Sequence, residues 1–117
     1  MAYIDGYLIP VPAEKKNAYF EIAAKAAKVF RDHGATRVVE CWGDDVPDGK
    51  VTDFKRAVKA EGDEGVVFSW VEWPDKATRD TGMKKVMEDE RMQGDHSDMP
   101  FDGQRMIFGG FAPVVEE

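Results

Sequence analysis

The chain has 117 residues, of which 43% are hydrophobic and 33% are charged, and its net charge is −7. This length and hydrophobic content predict one folded domain over residues 1–117 rather than a disordered segment. The acidic balance argues against a nucleic-acid partner, because phosphate backbones are bound by clustered lysine and arginine. No apolar run reaches the roughly 20 residues that cross a bilayer, so no membrane partner is expected.

Period-two runs of β-branched and aromatic residues indicate strands, and apolar residues at three- and four-residue spacing indicate helices. In the first half of the chain the predicted elements are a strand over 3–11, a helix over 13–33 ended by Gly34, and a strand over 36–42. A short helix over about 52–59, capped by Thr52, and a strand over 65–73 follow. The remaining predicted elements are a helix beginning at 74–75, a polar loop over 88–100 with one helical turn, and a strand over 105–114 interrupted by Gly109 and Gly110.

This order, β-α-β-β-α-β, predicts an α+β fold of the ferredoxin-like kind, a sandwich in which two helices cover one face of an antiparallel sheet. The runs 38–42 and 66–73 carry apolar side chains on both faces, which indicates that both faces of the sheet are covered. Two helices cannot cover both faces, so the second cover is expected to be another copy of the chain. The predicted assembly is therefore a homodimer in the form of a dimeric α+β barrel.

Strand alternation divides the side chains of the predicted sheet into two sets. The set expected under the helices is apolar: Ile4, Leu8, Val39, Cys41, Val67, Ser69, Val71, Met106 and Phe108. The set expected on the bare face mixes aromatic and charged residues: Asp5, Tyr7, Ile9, Val38, Glu40, Trp42, Phe68, Trp70, Glu72, Arg105 and Ile107. Between two paired sheets, the second set would enclose a polar-aromatic pocket for a small organic molecule.

The residues of that pocket suggest acid–base chemistry. A carboxylate against tryptophan in a dry cavity has a raised pKa, so Glu40 or Glu72 is the candidate catalytic base. The candidate substrate-binding residues are Arg105, which would hold an anionic oxygen, Trp42 and Trp70, which would stack on a ring, Asp5, Tyr7, and Lys55 at the rim with the loop over 44–53. The alternative is that the aromatic residues only fill an interface, in a non-catalytic interaction or stress-associated protein.

No cofactor or metal is expected from the few residues that could bind one. His33 ends a predicted helix, where a cation favours the helix dipole. The run Asp95–Asp98, with His96, offers oxygen and nitrogen ligands, but such spacing is common in loops. Cys41, the single cysteine, is predicted to be a buried and inert thiol. A lone cysteine and an N-terminus without signal-peptide features predict a cytoplasmic location.

Several segments resemble the small bacterial proteins grouped as domain of unknown function 1428: YIDG at 3–6, VPA at 11–13, VECW at 39–42, DVPDGK at 45–50, VVFSW at 66–70, MPFDG at 99–103 and RMI at 105–107. The resemblance implies the dimeric α+β barrel superfamily, which includes cofactor-independent quinol monooxygenases, haem-degrading enzymes and muconolactone isomerases. The family has no established activity, so it supplies no catalytic residues. Some members are labelled as associated with signal-recognition-particle RNA, which the acidic charge of this chain does not support.

Overall fold

A computed structural model describes residues 1–93 and 99–117. Its elements are β1 (Tyr3–Pro12), α1 (Lys16–Asp32), β2 (Arg37–Trp42), α2 (Phe54–Ala57), β3 (Glu64–Trp73), α3 (Lys76–Glu88) and β4 (Ile107–Phe111), with 3-10 turns at Ala13–Lys15 and Glu90–Met92. The predicted β-α-β-β-α-β order is confirmed, with α2 as a short addition between β2 and β3.

The sheet has the strand order β2-β3-β1-β4, and every pair of neighbours is antiparallel. The long strands β1 and β3 are central, and β2 and β4 are the edges. Helices α1 and α3 pack on one face, so the molecule is a slab with extents of 38 × 38 × 20 Å. The ferredoxin-like α+β fold is thus confirmed. Within residues 1–93 and 99–117, the other sheet face is bare except at its rim, where Phe54 of α2 packs on Phe68.

Local chemistry sets the helix ends. Gly34 follows α1 with a φ of +112°, a left-handed conformation that favours glycine. The carboxylate of Asp75 accepts a hydrogen bond from the Thr78 backbone N–H at 2.7 Å and caps α3. The predicted cap of α2 was wrong by one residue, because Asp53, not Thr52, accepts from the third backbone N–H of that helix.

The last strand is shorter than predicted. It ends at Phe111, which pairs with Ile4, whereas the sequence pattern extended it to residue 114. The neighbouring strand β1 has only Tyr3 left beyond this pair, and Pro113 has no N–H to donate. Residues 112–117 therefore leave the sheet without regular structure.

The predicted faces were correct for β3 and wrong for β1 and β2. Cross-strand register places each residue on the same face as its partner, and Val67, Ser69 and Val71 lie under the helices as expected. Their partners lie there too: Ile9, Tyr7 and Asp5 on β1, and Trp42, Glu40 and Val38 on β2. Conversely, four residues that were predicted to lie under the helices lie on the bare face instead: Ile4, Leu8, Val39 and Cys41. Cys41 is consequently exposed rather than buried.

Candidate functional site

A polar row crosses the sheet beneath the helices. Glu40 on β2 is directly opposite Ser69 on β3, which is directly opposite Tyr7 on β1. Opposite residues of an antiparallel pair have Cβ atoms about 5 Å apart, so the three side chains are neighbours in one line. The adjacent row, formed by Trp42, Val67 and Ile9, is apolar. A carboxylate and two hydroxyls are therefore set beside the hydrophobic core.

Helix α1 places a third hydroxyl over this row. Tyr19, one of the buried residues of α1, donates a hydrogen bond from its hydroxyl to Oε1 of Glu40 at 2.8 Å. Ser69 places a further hydroxyl beside the Glu40 carboxylate from the opposite strand. The polar cluster is defined here as Tyr7, Tyr19, Glu40 and Ser69.

Burial changes the acid–base properties of the polar cluster. It raises the pKa of Glu40 above its ordinary value of 4.5, and the hydrogen bonds from Tyr19 and Ser69 lower it again in part. Burial, reinforced by the charge of Glu40, strongly raises the pKa of Tyr19. Burial and the charge of Asp5 raise the pKa of Tyr7 to about 12. At neutral pH the two phenols therefore keep their protons, and the Tyr19 hydroxyl is the donor in its hydrogen bond to Glu40.

A second buried carboxylate, Asp5, is in a different environment. It accepts from the Trp73 indole Nε1 at 3.0 Å and from Arg79 Nε and Nη2 at 2.8–3.2 Å. Asp5 is thus a saturated ion pair that joins β1 to β3 and α3. Among the described residues, Glu40 forms no ion pair with lysine or arginine. Its partners are hydroxyls, which a ligand's oxygen atoms can replace.

Aromatic rings surround the Tyr19 end of the polar cluster. Phe20 and Phe101 each make edge contacts with Tyr19, with ring centroids 5.2 and 5.7 Å apart. Phe20 also meets Trp42 at 6.2 Å. Because β2 is an edge strand and Glu40 is only half-buried, the cluster can be approached from this edge of the sheet.

Arg105 joins the segment that carries Phe101 to the beginning of β3. Its guanidinium donates to both Glu64 oxygens at 2.7 and 2.8 Å, to Asp102 at 3.0 Å and to the Lys59 carbonyl at 2.9 Å. Glu64 begins β3, at the opposite end of that strand from Glu72. These partners hold Arg105 at the end of the sheet, away from Glu72.

The bare face carries an apolar groove of about 630 Å³. Its walls include Ile4, Leu8, Phe68, Trp70, Ile107 and Phe111. Four large apolar side chains of the lining are well exposed: Phe68 at 47%, Ile107 at 44%, Phe108 at 72% and Phe111 at 62%. Contiguous apolar surface of this kind marks an interaction site in soluble proteins.

The polar residues of the bare face are paired with one another. Glu72 accepts from the Trp70 indole at 2.9 Å and lies 3.5 Å from Arg37. Phe54 of α2 packs on Phe68, with ring centroids 6.2 Å apart, so the exposed Lys55 follows a residue at the rim of this face. The bare face thus carries Trp70 and Glu72, and Lys55 lies near its rim.

The predicted site residues fall into two groups on opposite sides of the sheet. Asp5, Tyr7, Glu40 and Trp42 lie under the helices, and Trp70 and Glu72 lie on the bare face. The structure does not bring the two candidate bases together. Tyr19 and Ser69 were not predicted as site residues, although both carry a hydroxyl at a position that the periodicity of α1 and β3 turns towards the core.

The side chains that commonly bind metals are dispersed over the described part of the chain. Within residues 1–93 and 99–117, no three His, Cys, Asp or Glu side chains are grouped so as to hold a metal ion. The possible ligands at 95–98 lie outside the described residues. None of the helices described is long and apolar enough to cross a membrane.

Comparison with solved structures shows the fold to be shared. An uncharacterized NIPSNAP domain protein from Burkholderia xenovorans has a TM-score of 0.62 and 15% identity, with 96% of this chain and 94% of that chain covered. A single-residue variant of SnoaB, a cofactor-independent oxygenase from Streptomyces nogalater, has a TM-score of 0.58 and 12% identity, with 98% and 95% covered. These identities support a common fold and no more.

Sequence comparison identifies much nearer relatives. The uncharacterized protein YbaA of Escherichia coli strain K12 is 58% identical over 117 residues, which is the full length of both chains. The model of the family described as protein of unknown function (DUF1428) matches residues 2–103. The chain therefore belongs to the DUF1428 family.

Proposed function

We propose that the protein is a cytoplasmic homodimer that binds a small organic molecule at the polar cluster, with Glu40 as the proton acceptor. The observation that carries this proposal is the half-buried Glu40 carboxylate, held by the Tyr19 hydroxyl at 2.8 Å and without a cationic partner among the described residues. Asp5, by contrast, is held by the Arg79 guanidinium through charge-assisted hydrogen bonds.

The reaction class that suits this cluster is proton removal from an enolisable or phenolic substrate. Glu40 would accept the proton, and the protonated hydroxyls of Tyr7 and Ser69 would donate hydrogen bonds to the oxygen that gains negative charge. Trp42 and Phe20 would contact a planar ring at the β2 edge. Such a step needs no cofactor, and the fold shared with a cofactor-independent oxygenase is compatible with it.

The homodimer is supported by the bare face. The apolar groove and its exposed phenylalanines are the kind of surface that a second copy covers. An isologous pair brings the same patch of both copies together, so one apolar face can satisfy both.

A panel of phenols and enolisable ketones, observed through backbone amide chemical shifts, tests the site. We expect shifts near Glu40, Ser69 and Tyr19, and a loss of binding in Glu40→Gln. Glu72→Gln is the matched control, because it removes the same charge from the opposite sheet face and should bind normally. Binding lost in Glu72→Gln but kept in Glu40→Gln would move the site to the bare-face groove.

The second candidate function is a non-catalytic dimer whose apolar face exists for assembly alone. The observation that favours it is the groove itself, which is lined mainly by apolar residues. If no compound of the panel shifts amides around Glu40 while the protein still dimerises, this second function takes the place of the first.

A further inference from the structure

The residues that follow β4 include exposed apolar side chains beside the bare face. Val114 is 91% exposed and Val115 is 79% exposed. They continue an apolar surface, because Phe111, Ala112 and Pro113, which precede them, all line the groove. The tail, defined as residues 112–117, is thus an extension of the bare face rather than a separate polar end.

The tail cannot join its own sheet. Pro113 has no N–H, and β1, the partner of β4, has only Tyr3 beyond the last pair, Ile4 and Phe111. The first two tail residues reach the groove of their own chain, whereas the two valines remain exposed. The groove of the same chain therefore leaves the valines uncovered.

The geometry points to a second copy as the partner of the tail: each tail crosses the dimer and packs its valines on the bare face of the other subunit. This inference rests on the homodimer proposed above. In an isologous dimer the exchange is reciprocal, so both tails are buried by one arrangement.

The area available for contact supports the exchange of tails between the two copies. From strand lengths and spacings, the four strands present a planar face of roughly 500 Å². Stable interfaces usually bury about 800 Å² on each partner. A six-residue tail from each copy adds contact area beyond the edge of the sheet.

The charges of the tail and of the bare face also favour the exchange of tails. The tail ends with Glu116 and Glu117. Arg37, on the bare face, has a side chain that is 63% exposed and lies 3.5 Å from Glu72, a loose pairing that leaves donors available. Lys55 adds a second exposed cation at the rim. An acidic tail thus meets a face that carries cations.

The test substitutes Val114→Ser and Val115→Ser together in the full chain and measures the dimer dissociation constant by sedimentation over a dilution series. We expect the constant to rise about a hundredfold or more, because four valines lose their burial. Neither valine is buried within the chain, so the subunit should fold as before. The matched control is Met87→Ser, an exposed apolar residue of α3, on the helix side.

A second measurement mixes isotope-labelled and unlabelled protein and records filtered nuclear Overhauser effects from the tail valine methyls. Cross-subunit signals are expected. A wild-type protein that is monomeric at high concentration overturns the proposed dimer and this inference together. A wild-type dimer whose dissociation constant changes by less than twofold in the double variant overturns the tail exchange and leaves the dimer standing.

Discussion

At the scale of single residues, the two carboxylates under the helices show how environment assigns a role. Asp5 is held by an arginine and an indole, so its charge is fully compensated. Glu40 is held by hydroxyls, and burial raises its pKa. Both lie on the same face of the sheet, on strands separated by β3. Of these two carboxylates, Glu40 is the one whose partners are hydroxyls rather than a cation, which makes it the candidate base.

Substitution of Glu40→Gln should make stability less dependent on pH. Because the pKa of Glu40 is higher in the folded protein than in the unfolded chain, its stabilising effect is complete below the unfolded value and is lost as the pH rises through the folded value. The free energy of unfolding of the variant, relative to that of the wild type, should therefore increase between about pH 4 and pH 7. Denaturant titrations at both pH values measure this.

The control for that experiment is Glu72→Gln, which makes the same change in net charge on the opposite face. A relative stability of Glu40→Gln that falls as the pH rises would mean that Glu40 is stabilised as a carboxylate in the folded protein. In that case Glu40 is a structural anion and not a candidate base.

At the scale of elements, the packing of α3 depends on a glycine within the helix. Gly82 is buried, and an added Cβ would overlap the Trp73 ring and the His33 carbonyl oxygen. Trp73 is itself fully buried and donates to Asp5, so it cannot easily move. The glycine that looks like a weak point in the helix by propensity is therefore where α3 closely approaches β3 and the end of α1.

Gly82→Ala should destabilise the protein although alanine is the better helix former. The propensity gain is about 1 kcal/mol, whereas overpacking against a fixed ring costs about 1–3 kcal/mol. We expect a net loss, seen as a lower midpoint of thermal unfolding. Thr81→Ala, at the exposed neighbouring position, should be close to neutral. A stabilised Gly82→Ala would show that α3 can shift away from Trp73.

Most elements were predictable from the sequence, whereas the faces of two strands were not. The spacing of the apolar residues, together with Gly34 and Asp75, located the helices and strands to within a few residues. In β3 the small residues Val67, Ser69 and Val71 alternate with bulky ones, which indicated the correct face. In β1 and β2 the charged Asp5 and Glu40 suggested the wetter face, but both lie under the helices, where Arg79 and Tyr19 form hydrogen bonds with them. Those partners come from distant helices, so strand alternation alone cannot reveal them.

At the scale of the whole molecule, two tryptophans lie on opposite sides of the sheet. Trp70 lies on the bare face, with its ring 5.7 Å from that of Phe68. Trp42 lies under α1, where it meets Phe20 and the Lys16 ammonium. The proposed dimerisation and the stability of the subunit should therefore be separable by substituting one tryptophan or the other.

Trp70→Ala should weaken the dimer, by about 3 kcal/mol or more if the ring is fully buried between two copies. Trp42→Ala should instead lower the free energy of unfolding of the subunit, by about 3 kcal/mol, and leave association largely intact. Sedimentation over a dilution series and denaturant unfolding distinguish the two effects. If Trp42→Ala weakens association more than Trp70→Ala does, the helix side would be the interface.

The neighbouring residues Glu40 and Cys41 project from β2 in opposite directions, one under the helices and one onto the bare face. A single peptide bond thus separates a candidate proton acceptor from a thiol opposite Phe68. In the proposed homodimer this single thiol would be covered by the second copy. Its alkylation should therefore slow as the protein concentration rises. Because the side chain lies on the far side of the sheet from Glu40, the label would follow association without occupying the polar cluster.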